Sequence, residues 1–304
     1  MLEYIPMSAK SKMLGYFLAG VAIIVWSATF VATKYLLRDF SALEIQYFRF
    51  LLAYVILWGM YPRVDKIAKG DEWLFFFLGL TGAAFYQMLE NCALYYSTAS
   101  NVSIIVAAAP VMTAILGKFW LKTRLRPSFW PGLVLALCGI VLVSTRGNFN
   151  LHFHPLGDFL ACLCMLSWGF YSLVMDRLNG KGYNQFFQIR RSFFWALVIL
   201  LPCFLLSPVD GLHGLFGLSL DMGRFLELRF LLPLLFLGVL ASAVSFTAWN
   251  KASQLIGTVK CAVGIYLCPV FTMLLAWATL GESPCLMSVL GTIMILFGVF
   301  ITSL

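Results

Sequence analysis

The chain has 304 residues, of which 62% are apolar and 11% are charged, and its formal net charge is +8. Soluble globular domains are about half apolar and about a quarter charged, so this composition excludes a water-soluble fold. The basic residues are scattered among short connections and are not gathered on one face, which argues against a nucleic-acid-binding protein.

Apolar runs of about 20 residues recur ten times, and each is long enough to cross a hydrocarbon core of about 30 Å as a helix. These spans are predicted near residues 13–37, 42–61, 73–95, 99–121, 128–145, 156–178, 184–206, 229–250, 258–280 and 285–303. The connections between them are too short for a separate soluble domain. We therefore predict an all-α integral membrane protein with ten transmembrane helices in a single membrane domain.

The basic residues also predict the topology. With a cytoplasmic N-terminus, thirteen Lys and Arg side chains fall on the inner side and five on the outer side. This bias satisfies the positive-inside rule and places both termini in the cytoplasm. The first span follows a polar, basic start and lacks a convincing cleavage site, so it is expected to remain as a helix. The location predicted is the cell membrane, plasma or bacterial inner, with multiple passes.

The chain repeats itself. At an offset of 159 residues Asn91 matches Asn250 and Pro110 matches Pro269, and at an offset of 142 Trp26 matches Trp168 and Arg49 matches Arg191. A long-period repeat determines the architecture, here a first five-helix repeat over residues 1–150 and a second over 151–304. Because five is an odd number, the second repeat enters the membrane from the opposite side. Inverted repeats of this kind are typical of secondary transporters.

Among the charged residues within predicted spans, Arg49, Arg191 and Glu90 are candidates for a functional role, because a charge inside the membrane costs at least about 2.5 to 3.5 kcal/mol. Arg49 and its repeat equivalent Arg191 are either contacts to a substrate anion or structural arginines that cap carbonyls. Glu90, followed by Asn91, either pairs with Arg49 or takes up a proton and couples transport to a proton gradient. The positional equivalent of Glu90 in the second repeat is Trp249, so the acid is not duplicated.

Pro110 and Pro269 lie near the centres of the fourth and ninth spans. A proline inside a helix frees a carbonyl and kinks the helix, and matched interruptions in two repeats indicate a central binding site. We predict a site between these kinks, with Asn101, Ser103 and Tyr266 as polar lining. The tryptophans Trp26 and Trp168 either stack on a substrate in a cavity or pack against small neighbours.

Motifs of catalysis and cofactor binding were not found. The sequence has no nucleophile elbow, no zinc motif, no phosphate-binding glycine loop and no dinucleotide fingerprint. Without such motifs we predict no catalytic residues, no metal and no cofactor other than a coupling proton, and therefore a protein that is not an enzyme.

These features together resemble the drug/metabolite transporter superfamily, specifically the EamA-type exporters. The resemblance rests on Trp26-Ser, Phe30 and Lys34 in the first span, Arg49 in the second, the segment Ala93-Leu-Tyr-Tyr-Ser-Thr-Ala99 leading to Pro110, and Leu280-Gly-Glu282 followed by Gly291 and Gly298. It implies that spans 1 to 4 and 6 to 9 enclose a central cavity and that spans 5 and 10 lie outside it. In the first repeat Lys122-Thr123 replaces the Gly-Glu of the second, which favours a loop-capping role for Glu282.

The function expected is secondary transport by alternating access. The expected direction is export of small metabolites, and amino acids are the best substrate class. In this interpretation Arg49 binds a carboxylate, Glu90 an amine, and Trp26 or Trp168 a side chain. An exporter of lipophilic cations or drugs is the first alternative, and a non-transporting membrane sensor or scaffold is the second. The partners expected are a small-molecule substrate and the lipid bilayer, with the protein a monomer or a homodimer.

Overall fold

A computed structural model describes residues 9–120, 127–145, 155–208, 215–219, 221–257, 261, 264–265 and 267–303. Within these ranges the protein is helical, with short connections. The α-helices are α1 (Ala9–Leu36), α2 (Ala42–Met60), α3 (Glu72–Leu78), α4 (Tyr86–Tyr96), α5 (Ala99–Val106), α6 (Ala109–Trp120), α7 (Phe129–Thr145), α8 (Pro155–Asn179), α9 (Gln185–Leu205), α10 (Leu228–Leu235), α11 (Ser245–Ile256), α12 (Cys268–Leu280) and α13 (Leu286–Ser303).

The helices have the length and composition of membrane spans. Among the described residues, six helical stretches are long and apolar enough to cross a bilayer, namely Lys10–Leu36, Ala42–Met60, Ala99–Trp120, Pro155–Asn179, Gln185–Leu205 and Leu228–Ile256. Shorter apolar helices cover Phe129–Gly139, Cys268–Leu280 and Leu286–Gly298. The prediction of an all-α membrane protein is confirmed. The count of ten spans stays a prediction.

Two π-helical segments occupy matching places in the two halves of the sequence. The first, π1 (Gly79–Phe85), joins α3 to α4, and the second, π2 (Phe236–Val244), joins α10 to α11. The repeat offset of 159 carries Gly79 to Gly238, inside π2. Single π-turns inside α-helices are uncommon and often lie at functional sites. The residues that follow the two segments, in α4 and α11, are therefore candidates for a functional site.

The fourth predicted span is interrupted just before its proline. Helix α5 ends at Val106, a turn follows, and α6 begins at Ala109 with Pro110 as its second residue. Helix α12 begins at Cys268, so Pro269 is likewise its second residue. A proline is accommodated in the first turn of a helix, where its missing N–H has no partner to lose. The expected kinks are thus helix starts in this structure.

Helices α7 and α13 pack closely against each other through glycines. A Cβ atom added at Gly139 would lie 2.7 Å from the Gly291 carbonyl oxygen, and one added at Gly298 would lie 2.6 Å from the Gly132 carbonyl oxygen. Glycine at these positions therefore allows the two backbones to approach each other, as in other membrane helix pairs. The glycines join the fifth and tenth predicted spans within one chain.

Candidate functional site

A cavity lies among α1, α2, α4, α5, α8 and α11, with about 50 Å³ of space for the centre of a water molecule. Its walls are mainly apolar and aromatic, with a few polar side chains, which is the usual character of a small-molecule site. The residues that line it are Trp26, Thr29, Phe30, Arg49, Tyr86, Gln87, Glu90, Ser103, Val106, Ala107, Ala109, Trp168, Phe246, Ile265 and Cys268.

Arg49 of α2 reaches this cavity from a buried position. Its Nε donates a hydrogen bond to Ser242 Oγ at 2.6 Å, and its Nη1 donates to Gln87 Oε1 at 2.5 Å. Gln87 belongs to α4 and Ser242 to π2, so the guanidinium connects both halves of the chain. A buried cation needs hydrogen-bond partners to offset its desolvation. Here those partners are neutral, so the positive charge is not cancelled by them.

Glu90, one turn along from Tyr86 on α4, is also buried in the cavity wall. The Tyr86 side chain hydrogen-bonds to it, whereas its Oε1 has no hydrogen-bond partner in the part of the chain that the structure describes. An ion pair between Glu90 and Arg49, one of the sequence-based alternatives, is not formed among the described residues. Glu90 Oε1 is therefore available to a proton or to a hydrogen-bond donor of a bound molecule.

Aromatic rings form the apolar part of the cavity. Trp26 lies edge-on to Trp168, with ring centroids 5.8 Å apart, and close to Phe246, at 5.3 Å. The indole N–H of Trp26 donates to the Ala241 carbonyl at 3.0 Å, which holds the ring in one orientation. Trp249 packs against Trp26 at 5.2 Å but does not line the cavity. These rings leave flat apolar faces for a ligand.

The other polar residues that were predicted from the sequence to line the site differ in their position relative to the cavity. Ser103 lines the cavity, and its hydroxyl donates to the Ser100 carbonyl. Asn91 is buried beside α2 and donates to the Ala42 carbonyl at 3.1 Å, and the buried Asn101 lies in the first turn of α5. Neither of these asparagines lines the cavity. Tyr266 lies outside the described residues.

The two repeat-related arginines differ in environment. Arg191 is about one-third exposed and forms an ion pair with Glu72 at 2.8 Å, away from the cavity. The helix starts at Pro110 and Pro269, by contrast, lie next to cavity-lining residues, since Ala109 and Cys268 each precede one of these prolines. Of the site residues predicted from the sequence, the cavity thus brings together Trp26, Arg49, Glu90, Ser103 and Trp168.

Several lining residues were not predicted. Tyr86 and Gln87 lie four and three residues before Glu90, and that spacing places them on its face of a helix. Phe246 is the equivalent of Gln87 at the offset of 159. These two signals were present in the sequence. No sequence signal indicates Ser242 as the partner of Arg49, since their contact depends on how α2 packs against π2.

Polar contacts join the helix ends at one side of the cavity, the side predicted to be outer. Lys34 at the end of α1 donates to the Leu94 carbonyl and to the Ser97 carbonyl, the latter at 2.7 Å. Glu282 accepts hydrogen bonds from the backbone N–H groups of Ala99 and Ser100 at 3.0 and 3.1 Å. Glu282 thereby caps the N-terminus of α5 and connects the two halves.

An open polar recess lies at the opposite, predicted inner side. It has a volume of about 660 Å³ and is lined by Asp65, Asn179, Gly182, Tyr183, Asn184, Gln185, Lys251 and Gln254. Polar contacts thus join the helix ends on the side of Lys34 and Glu282, and a recess is open on the side of Asp65 and Lys251.

Comparison with known proteins identifies the family. The model of the EamA-like transporter family matches residues 13–145 and again residues 155–304. An uncharacterized transporter of Archaeoglobus fulgidus is 26% identical over 95% of this chain and 96% of its own length. A probable amino-acid metabolite efflux pump of Escherichia coli is 24% identical over 93% of each chain.

A protein of known crystal structure supports the fold. It superposes with a TM-score of 0.63 over 97% of this chain and 96% of its own, at 17% identity. The chain therefore belongs to the EamA-like transporter family and is a multi-pass membrane protein. The family and the names of the relatives indicate a transporter and not an enzyme.

Proposed function

We propose that this EamA-family protein exports a small zwitterionic metabolite, with an amino acid as the best substrate class, by alternating access through the central cavity. The observation that carries the proposal is that Arg49 and Glu90 line one aromatic cavity without pairing with each other. A cation and an acid that do not pair with each other in a mainly apolar site complement the two charges of a zwitterion.

Each group has a defined role in this proposal. The Arg49 guanidinium is oriented by Ser242 and Gln87 through Nε and Nη1, which leaves Nη2 for a substrate carboxylate. Arginine and carboxylate form charge-assisted hydrogen bonds that are about twice as strong as neutral ones. Glu90 Oε1 accepts from the substrate ammonium, and Trp26, Trp168 and Phe246 surround the side chain. Apolar and aromatic walls of this kind favour a neutral, apolar or aromatic side chain.

The proposed topology is compatible with export. With both termini in the cytoplasm, the polar recess at Asp65 and Lys251 faces the cytoplasm and admits substrate, while the contacts of Lys34 and Glu282 close the outer side. Transport then requires these outer contacts to open as the inner side closes, an exchange for which the two repeats provide equivalent elements. The membrane proposed is the plasma or bacterial inner membrane.

A second candidate function is export of lipophilic cations, which the unpartnered Glu90 oxygen and the surrounding rings favour. A cation over the face of a tryptophan gains about 0.5 to 2 kcal/mol, more when it is desolvated. In that case Arg49 would hold the helices together and would not touch the substrate. The two candidates differ in one measurable respect, because only a zwitterion needs Arg49 for its carboxylate.

The test is flux into liposomes that contain the purified protein, measured with labelled large neutral amino acids, nucleobases and organic cations at two pH gradients. The parent is compared with Glu90→Gln and with Glu227→Gln, whose carboxylate is exposed and paired with Arg229. Amino-acid flux that follows the proton gradient and loses this dependence only in Glu90→Gln would support both substrate class and coupling. Flux of cations without flux of zwitterions would overturn the proposal.

A further inference from the structure

A second and larger groove lies on the outside of the helix bundle. It runs between α8 and the path α3–π1–α4, with the end of α6 beside it, and has a volume of about 830 Å³. Its walls are almost entirely apolar and include Trp73, Phe77, Phe85 and Trp120. Trp73, Phe85 and Trp120 are 66%, 53% and 58% exposed. Exposed apolar rings on membrane-spanning helices face the bilayer.

This groove is separate from the central cavity, although the two share helices. Phe85, Met88 and Leu89 line the groove, whereas Tyr86, Gln87 and Glu90 line the cavity. The helix therefore presents one face to each space. None of the residues proposed to contact the substrate lines the groove.

One end of the groove is charged. Asp71, Arg177 and Lys181 line it there, at the beginning of α3 and the end of α8. Lys181 Nζ lies 2.7 Å from Asp71 Oδ1, which neutralises one of the two cations, and Arg177 adds a second. An adjoining recess includes Asp176 together with Arg177. The three charged residues of the groove leave one net positive charge at its end.

We propose that this groove binds an anionic phospholipid, with the acyl chains along the apolar walls and the phosphate against Arg177 and Lys181. The groove extends from Asp71 to Leu89, roughly 25 Å of helix, so it spans more than one leaflet's hydrocarbon depth of about 15 Å. Acyl chains fill such a space because an empty one would forfeit dispersion contacts. Basic pockets between spanning helices on the cytoplasmic side recognise anionic head groups.

The position of the tryptophans agrees with this orientation. Trp73 lies two residues after Asp71, and Trp120 lies at the end of α6 beside the same charged end of the groove. Tryptophan side chains favour the level of the lipid head groups, where one part of the ring is in contact with acyl chains and the N–H is near water. The charged end thus lies at the membrane surface, and the bound lipid belongs to the leaflet on that side.

The first experiment is native mass spectrometry of the purified full chain after incubation with phosphatidylglycerol or phosphatidylcholine of the same acyl chains. We expect the parent to retain phosphatidylglycerol at least about tenfold better than phosphatidylcholine. The double variant Arg177→Gln/Lys181→Gln should lose this preference. The control Lys10→Gln/Lys66→Gln, which removes the same charge from exposed positions on the same predicted side, should keep it.

Two outcomes would overturn the proposal. One is equal retention of both lipids by the parent, and the other is an equal loss of preference in the control, which would indicate general attraction to a basic surface. Since Lys181→Gln also removes the partner of Asp71, Arg177→Gln alone is measured as well and should lose part of the preference. Thermal unfolding in detergent shows whether each variant is folded.

A further variant tests the apolar walls. Val174→Trp places a large ring in the groove between Leu74 and Trp120 and should reduce the retention of phosphatidylglycerol without any change in charge. The same spectra report the mass of the complex. A dimer in the parent that Val174→Trp abolishes would mean that a second copy of the chain occupies the groove, and the lipid proposal would then be wrong.

Discussion

Arg49 and Ser242 are 193 residues apart in the sequence, and the arginine Nε donates a hydrogen bond to the serine hydroxyl at 2.6 Å. The bond joins α2 of the first half to the π-helical segment of the second half. It lies beside the cavity that also contains Glu90, so the conformation of π2 determines the orientation of the cation. A movement of one half against the other would change how Arg49 is presented to a ligand.

The first prediction concerns the geometry of Arg49. In Arg49→Lys the charge remains, but an ammonium on a flexible stem cannot contact Ser242, Gln87 and a carboxylate in the same planar arrangement. We expect amino-acid flux to fall at least about tenfold, mainly through a higher KM. The measurement is concentration-dependent uptake into liposomes.

Its control is Arg191→Lys, at the repeat-related position. Arg191 is paired with Glu72 outside the cavity, so its replacement should change flux less than about twofold. Equal losses in the two variants would show that the sensitivity at Arg49 does not arise from the cavity.

The second prediction tests the interface between α7 and α13. In Gly298→Ala the new methyl group would lie 2.6 Å from the backbone nitrogen of Ala136 and from the Gly132 carbonyl oxygen. Because backbone atoms cannot move aside as a side chain can, the helices must separate, at a cost of about 1 to 3 kcal/mol. The expected result is a lower midpoint of thermal unfolding in detergent.

Gly20→Ala is the matched control, because a Cβ atom at Gly20 would have no neighbouring atom within 4 Å. In a helix interior, alanine is more favourable than glycine by about 1 kcal/mol, so this variant should be as stable as the parent or more stable. If Gly298→Ala were as stable as Gly20→Ala, the close packing of α7 and α13 would be disproved.

The third prediction concerns a buried ion pair near the start of α2. Arg224 and Glu44 form an ion pair in which both side chains are less than 10% exposed, and Ser219 N also donates to Glu44. Removal of one partner leaves a buried charge, which costs about 3 to 5 kcal/mol. Arg224→Gln should therefore lower the unfolding midpoint clearly.

Arg229→Gln provides the comparison. Arg229 also pairs with a glutamate, Glu227, but the two side chains are 62% and 46% exposed. Solvent screens such a pair, and its loss should leave stability nearly unchanged. A similar effect of both substitutions would mean that burial of the Arg224 pair has no energetic consequence.

The fourth prediction is a dependence of stability on pH at Asp71, in the connection before α3. Hydrogen bonds from Lys181 and Tyr183 lower the pKa of this carboxyl below its ordinary value of 3.8. A carboxyl with a lower pKa in the folded state stabilises the fold above its unfolded pKa, and the stabilisation is lost as the pH falls through the folded pKa.

The difference in unfolding midpoint between the parent and Asp71→Asn should accordingly be constant from pH 7 to about pH 5 and shrink below about pH 4. Thermal unfolding in detergent at stepped pH measures it. A difference that stays the same down to pH 3 would show that the ionised form of Asp71 is not the one that Lys181 and Tyr183 stabilise.

Much of the architecture could be predicted from the sequence because it depends on local composition. A single apolar run of about 20 residues can cross a membrane only as a helix, because a helix forms all its backbone hydrogen bonds within the segment. This requirement accounts for the membrane fold. The matched prolines Pro110 and Pro269 mark helix interruptions because a proline lacks an N–H wherever it stands. The burial of Arg49 and Glu90 followed from their positions inside such runs.

Tertiary packing alone decided the roles of the individual polar residues. Arg49 and Arg191 occupy equivalent positions in the repeat, yet one contacts Ser242 and Gln87 in the cavity and the other contacts Glu72 near the surface. Charge and spacing are the same for both, whereas the partner is supplied by a helix that is distant in sequence. Such contacts depend on how the helices of the two halves pack in three dimensions, and the repeat pattern along the chain does not specify them residue by residue.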